Sequence, residues 1–201
     1  MLRIGLTGGL ASGKTFVGQA LQDLGCHLLK ADDLGRQVLE PGQPAFQKAI
    51  DAFGPGILSP DGQIDRRRLG QIVFHQPEEL NLLNSLVHPA VIALEESWIH
   101  AVAAHDPAAI AVVEAAILVE TGSYRRFDKL VLALCTTEQQ IERAIKRDGL
   151  SRDEVIARLA RQMPLAEKRT YADYVIDTSG PKEDTLAQVR ALYAELRRLT
   201  A

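Results

Sequence analysis

Leu2-Arg3-Ile4-Gly5-Leu6-Thr7-Gly8-Gly9-Leu10-Ala11-Ser12-Gly13-Lys14-Thr15 begins the chain as an apolar run that passes at once into G-x-x-x-x-G-K-T. The run has strand character, and a helical pattern from about Gly13 to Leu24 starts where the motif ends. The glycines let the backbone curl until several N–H groups point at one place. The helix N-terminus adds the positive end of its dipole there. Such a cradle suits a polyphosphate, most simply that of a nucleoside triphosphate. Lys14 is placed to reach the β- and γ-phosphates and the Thr15 hydroxyl to bind Mg²⁺. Residue types, spacing and flanking elements together disfavour a turn that merely precedes a helix.

The apolar runs 2–7, 26–31, 109–113, 129–135 and 173–177 read as strands and alternate with helical patterns. That alternation specifies an α/β fold with a mostly parallel five-stranded sheet. On the first helix Phe16, Val17, Ala20, Leu21 and Leu24 share a face. About eighty residues separate the second strand from the third, far more than an ordinary crossover needs. Residues 43–105 are therefore expected to be a helical insertion that holds a second substrate. Within it Ser59-Pro60-Asp61-Gly62 reads as a turn, Asp65-Arg66-Arg67-Arg68-Leu69 as a helix opening, and Val87-His88-Pro89 as the next helix start. A second excursion at 137–169 carries a charged helix, a capping box at Ser151-Arg152-Asp153-Glu154 and a break at Pro164. It reads as a lid or as a solvated helical hairpin. The remaining segments, 1–42, 106–136 and 170–201, form the nucleotide-binding core.

The 201 residues, 46% apolar and 24% charged, suit one globular α/β core with insertions. A net charge of −3 supplies no general attraction to nucleic acid or an anionic membrane. No apolar stretch is long enough to span a bilayer and no targeting segment is visible, so a cytoplasmic protein is expected, monomeric or a weak homo-oligomer. Cys26 and Cys135 lack metal-type spacing, and each lies among apolar residues, as buried thiols do.

Phosphoryl transfer to a hydroxyl needs a group that accepts the proton and aims the oxygen. Asp32 and Asp33 follow the second strand, where open α/β sheets gather their ligands. Asp32 is the candidate base, with helix capping as the alternative role for either acid. Glu114 directly follows the third apolar run, as a metal-binding acid or a solvated one. In the second excursion Arg143 and Arg147 are the candidate phosphate contacts, and its other cations, Lys168 among them, read as surface charges. Arg66, in a run of three arginines, offers a planar fork for an anionic acceptor. His88 reads as an ordinary helix-entry residue more readily than as a catalyst, and Glu120, on the segment after Glu114, is a weaker signal still. No guanine-reading N-K-x-D follows a strand, which favours ATP.

Taken in order, these segments resemble dephospho-coenzyme A kinases nearly end to end. The resemblance rests on Leu6 through Thr15, Ala31-Asp32-Asp33-Leu34-Gly35-Arg36, Asp65 through Leu69, and Leu83 through Pro89. It continues with Ile117-Leu118-Val119-Glu120, Arg143 through Ser151, Arg158 with Gln162-Met163, and Ala172 through Asp177. It implies a P-loop kinase fold with a helical substrate-binding domain and a helical lid. The implied activity is ATP-dependent phosphorylation of the ribose 3′-hydroxyl of dephospho-coenzyme A, the last step of coenzyme A biosynthesis, with ATP and Mg²⁺. It puts the ATP-binding loop at Ala11, Ser12, Gly13, Lys14, Thr15 and Phe16, preceded by Gly8 and Gly9, and the base at Asp32. Lys14 and a lid arginine, Arg143, would assist transfer, Arg147 would bind ATP, and Thr15 and Glu114 would hold the metal. Asp32, Arg66, His88 and Glu120 would meet the acceptor. Three positions depart from the family: Lys30 replaces an acid, Ala116 a proline and Thr178 an asparagine. A kinase for another acceptor, such as a nucleoside monophosphate, and a nucleotide-gated binding protein without transferase activity are the rival readings.

Overall fold

The computed structural model describes residues 1–74 and 76–200. The chain divides into two compact units, Met1–Lys30 with Ile99–Ala201, and Ala31–Trp98. The first is built on five parallel strands, β1 (Leu2–Gly8), β2 (His27–Lys30), β3 (Ile110–Glu114), β4 (Lys129–Leu134) and β5 (Tyr174–Asp177), in the order β2-β3-β1-β4-β5. All five anticipated strands are present. β3 is buried along its whole length, which is why its sequence is a continuous apolar run rather than an alternation.

Helix α1 (Lys14–Asp23) and the C-terminal helix α9 (Lys182–Leu199; the intervening helices follow) cover one face of the sheet. Val17 and Leu21 from α1 and Val189, Leu192 and Leu196 from α9 pack on Ile4, Leu6, Val112, Val131 and Ile176. Each such side chain contributes about 1.5–3 kcal/mol when fully buried. At the end of β4, α6 (Thr137–Asp148) and α7 (Arg152–Leu159) begin with capping boxes, Thr136 with Gln139 and Ser151 with Glu154. Gly149, at φ 67°, turns the chain between them. Ile141, Ala144 and Val155 make a small core that includes Leu10 and Ala11 of the motif. A short helix, α8 (Leu165–Lys168), follows Pro164.

The second unit is helical, with α2 (Ala31–Gln37), α3 (Phe46–Phe53), α4 (Arg66–Phe74) and the first part of α5 (Pro77–His105). Ala49, Ile57, Ile64, Leu69 and Val73 form its core, with Leu39 and Phe46 against them. This unit starts at Ala31 and ends at Trp98, whereas the sequence pattern put the insertion at 43–105; α2 and the buried Val38 lie on its side of the division. The turn at Ser59–Gly62 is present, closed by the Gly62 N–H on the Ser59 carbonyl at 2.9 Å. Asp65 caps α4, accepting from the Arg67 and Arg68 amides at 2.9 and 3.1 Å.

One helix boundary differs from expectation. Pro89 does not start a helix; it lies inside α5, which begins with Pro77 at its first position. Pro89 deprives the Ser85 carbonyl of its helical donor, but both residues are exposed, where water can serve the freed group, and the helix continues past the break. A proline in a helix interior costs about 3 kcal/mol relative to alanine, part of which its stiffening of the unfolded chain offsets. Pro89→Ala is expected to raise the thermal unfolding midpoint by about 4–8 °C, the shift for about 2 kcal/mol. A lower midpoint in that variant would show that the proline ring is held by packing.

Candidate functional site

The phosphate loop joins β1 to α1 through two residues in the left-handed region, Ala11 at φ 52° and Gly13 at φ 90°. Gly13 needs its missing Cβ twice over, for its dihedral and because Thr178 would stand 3.0 Å from that carbon. A Cβ on Gly8 would strike the Ser12 hydroxyl and approach Lys14 to 2.9 Å.

Side chains remote in sequence hold the loop. The Leu10 N–H donates to Gln162 Oε1 at 2.9 Å, and Gln140 Nε2 donates to the Leu10 carbonyl at 2.7 Å. Thr178 Oγ1 donates to the Ser12 carbonyl at 2.7 Å, with the Leu134 carbonyl 3.1 Å away. The loop's curl is thus set by the protein itself, which spares a ligand the cost of ordering it.

A cavity of about 260 Å³ is lined by Ala11, Ser12, Gly13, Lys14, Thr15 and Phe16 together with Arg143 and Arg147. The structure therefore brings the expected ATP loop and both expected arginines to one place. The arginines stand four residues apart on α6 and so share a face. Arg143 Nη2 donates to the Thr178 carbonyl at 2.6 Å, which fixes its guanidinium. Arg147 forks onto Asp148 at 2.7 and 2.9 Å, an exposed pair weakened by solvent screening that a polyphosphate can displace. A larger cavity, about 750 Å³, reaches Gly9 and Gln140 but is bordered mainly by apolar groups such as Ile156, Leu159 and Met163. None of the residues from Ala11 to Thr15 borders it; they line the smaller cavity instead.

Glu114 ends β3 and is buried, not solvated. Its Oε1 accepts the Thr15 hydroxyl at 2.7 Å; its Oε2 is buried with no partner. A lone buried carboxylate oxygen is costly unless a cation or donor meets it. With the Thr15 hydroxyl it makes a hard-oxygen set of the kind Mg²⁺ prefers. Lys30, where the family carries an acid, is the register partner of Glu114 across β2 and β3.

Glu120, expected among the acceptor contacts, has Oε1 engaged inside this unit by Lys168 Nζ at 2.7 Å and the Met163 N–H at 3.1 Å. Lys168, expected as a surface cation, is completely buried, because three oxygens surround its ammonium. Asp32, Arg66 and His88 belong to the second unit. Asp32 and Asp33 occupy the first turn of α2, and Asp33 lies 4.0 Å from Arg36. Arg66 is exposed at the start of α4. His88 is half-buried on α5, and burial lowers its pKa, which keeps the imidazole neutral at pH 7. Both cysteines are free and buried, and burial pushes the Cys26 thiol up to about 12. Among the described residues no helix is long and apolar enough to cross a membrane.

Gln140, Gln162, Thr178 and Lys168 are the site-supporting residues that spacing did not reveal. The signals were at Thr178, as a departure from the family's asparagine, and at Gln162, as part of the resemblance. Its hydroxyl serves the Ser12 carbonyl, so Thr178→Val is expected to leave a buried carbonyl unpaired and to cost about 1–3 kcal/mol of stability. ATP affinity should fall about tenfold in titrations of the folded variant, the equivalent of about 1.4 kcal/mol. Unchanged affinity would show that the loop keeps its shape without this hydroxyl.

A family model described as dephospho-CoA kinase matches residues 2–184. The dephospho-CoA kinase of Carboxydothermus hydrogenoformans is 45% identical over 92% of this chain and 90% of its own length. That of Geobacter metallireducens is 42% identical over 97% and 96%. Among solved structures, a Thermus thermophilus protein is 32% identical with a TM-score of 0.83 over 97% of each chain. The dephospho-CoA kinase of Campylobacter jejuni, at 24% identity, shares the fold with a TM-score of 0.74 over 99% of this chain and 98% of its own.

Proposed function

The chain belongs to the dephospho-CoA kinase family, an ATP-dependent kinase family of coenzyme A biosynthesis with the P-loop fold, and from that premise we propose how its own residues carry out the transfer. The observation that carries the proposal is the convergence of Ala11 to Phe16 with Arg143 and Arg147 on one cavity beside the Thr15–Glu114 pair. The loop amides and Lys14 hold the β- and γ-phosphates of ATP. Arg143, held by Thr178, neutralises charge on the transferring group, and Arg147 exchanges Asp148 for a phosphate.

The acceptor is the ribose 3′-hydroxyl of dephospho-CoA. Asp32 accepts its proton and aims its oxygen at the γ-phosphorus. As that bond forms, the bond to the bridging oxygen of ADP breaks. Asp32 is preferred to Asp33 because Asp33 lies within reach of Arg36. Arg66 and His88 bind the acceptor, Arg66 as a cation and His88 as a neutral donor or acceptor. The helical segment 43–105 serves as the substrate-binding domain and 137–169 as the lid, whose closure keeps water from competing for the γ-phosphate. Thr15 and Glu114 would hold Mg²⁺, which when bound supplies positive charge to the phosphate oxygens.

Coupled ADP release separates this reading from its rivals. ADP should appear with dephospho-CoA and not with nucleoside monophosphates; the reverse pattern would reassign the acceptor, and tight ATP binding without turnover would indicate a binding protein. Asp32→Asn is expected to keep ATP binding and lower turnover by about 10²-fold or more. Near-normal turnover in that variant would remove Asp32 from the mechanism. Lys14→Ala should weaken both ATP binding and turnover. Glu114→Gln is expected to raise the Mg²⁺ concentration for half-maximal rate by about 10–100-fold. An unaltered Mg²⁺ requirement would leave Glu114 as a partner of Thr15 alone.

A further inference from the structure

The ammonium of Lys168 is fully buried yet completely used. Nζ lies 2.6 Å from the Ala116 carbonyl, 2.7 Å from Glu120 Oε1 and 3.4 Å from the Gly8 carbonyl. A lysine has three N–H donors, and here each has one oxygen. A charge so far from water persists only where its partners are fixed, because losing one leaves the others to bear an uncompensated ion.

The three partners come from two different segments. Gly8 is the last residue of β1 and the first glycine of the phosphate motif. Ala116 and Glu120 follow β3, two and six residues after Glu114. The Ala116 carbonyl also accepts the Thr7 hydroxyl at 3.3 Å, so the β1 end and the segment beyond β3 are already tied. Glu120 passes the link on, since its Oε1 accepts the Met163 N–H. The neighbour, Gln162, accepts the Leu10 N–H at 2.9 Å. Segment 162–168 therefore grips the phosphate loop at Gly8 through Lys168 and at Leu10 through Gln162. Neither Lys168 nor Glu120 lines the cavity formed by Ala11 to Phe16, so any influence there passes through the backbone.

We infer that Lys168 is a positioning residue for the phosphate loop, with Glu120 as its counter-ion: the pair fixes the loop's entry and ties it to the segment that closes the lid excursion. The inference rests on reading Ala11 to Phe16 as the triphosphate site. It gives Glu120 a role different from acceptor binding. The ion pair sets the conformation of the loop amides toward ATP and leaves the acceptor site unchanged.

The test uses the full chain and reads ATP and dephospho-CoA separately. Lys168→Met alone strands the Glu120 carboxylate and is expected to unfold the protein readily. The neutral double variant, Lys168→Met with Glu120→Gln, keeps an oxygen for the Met163 N–H and should recover most of the lost thermal midpoint. In that variant the KM for ATP is expected to rise about tenfold and kcat to fall about tenfold, while the KM for dephospho-CoA stays within about twofold. Glu120→Gln by itself should speed hydrogen exchange at the Leu10 amide in the folded protein, a readout that does not require the double variant. Wild-type kinetics in the folded double variant, or unchanged Leu10 exchange in Glu120→Gln, would overturn the inference. A rise confined to the KM for dephospho-CoA would overturn it too, and would make Glu120 an acceptor contact. Lys14→Ala serves as the reference: if it leaves ATP binding intact, the triphosphate reading has failed rather than the role of Lys168.

Discussion

β1 is hydrogen-bonded on both sides, to β3 and to β4, and every pairing in the sheet is parallel. Parallel pairing sends the residues that follow each strand out at the same edge. Gly8, Glu114, Leu134 and Asp177 end four of these strands, and the phosphate loop, the Thr15–Glu114 pair, α6 and Thr178 all begin there. A slip of one residue between β1 and β3 would turn Glu114 to the opposite face of the sheet, away from Thr15. The buried apolar faces of these strands resist such a slip, so hydrophobic packing on the sheet aims the polar chemistry at its edge.

The loop itself runs against ordinary backbone preference, with a non-glycine residue at positive φ and a glycine that tolerates no Cβ. Conformations of this kind persist only when their surroundings over-determine them. Here the determinants are side chains on three other segments: Gln140 on α6, Gln162 before α8 and Thr178 after β5. They take the carbonyls of Leu10 and Ser12 and the amide of Leu10. Polar groups left over in this region are informative for the same reason. The Glu114 Oε2 oxygen is buried without a hydrogen-bond partner, which is the observation behind the proposal that it holds a cation. The fully partnered Lys168 is the opposite case, since its charge is already met by carbonyls and a carboxylate.

Strand positions, the first helix, helices α6 and α7 and one capping box were legible in the sequence because they depend on local pattern: apolar runs, helical periodicity, and Ser151 three residues before Glu154. The helix start at Pro89 was misjudged for an equally local reason. Proline suits a helix's first position, but an exposed proline inside a long helix is also tolerated when water serves the freed carbonyl. Lys168 was grouped with its charged neighbours because a one-dimensional run of cations cannot reveal which member turns inward. Glu120 is a weak signal in the sequence, because its engagement by Lys168 and the Met163 amide depends on residues more than forty positions away.

What the sequence determined alone was the chemistry available: G-x-x-x-x-G-K-T for a polyphosphate, an acid at the end of β3, aspartates after β2, arginines four apart on a helix. Each of those features is encoded within a few residues of sequence, where covalent geometry and helix or strand period fix its internal relations. The tertiary structure decided which of them act together. It brought Arg143 and Arg147 to the phosphate loop, joined Thr15 to Glu114, and buried one lysine among three oxygens. Such choices are made by long-range packing and by the cost of burying an unmatched charge or hydrogen-bonding group, and neither quantity exists until the chain has folded.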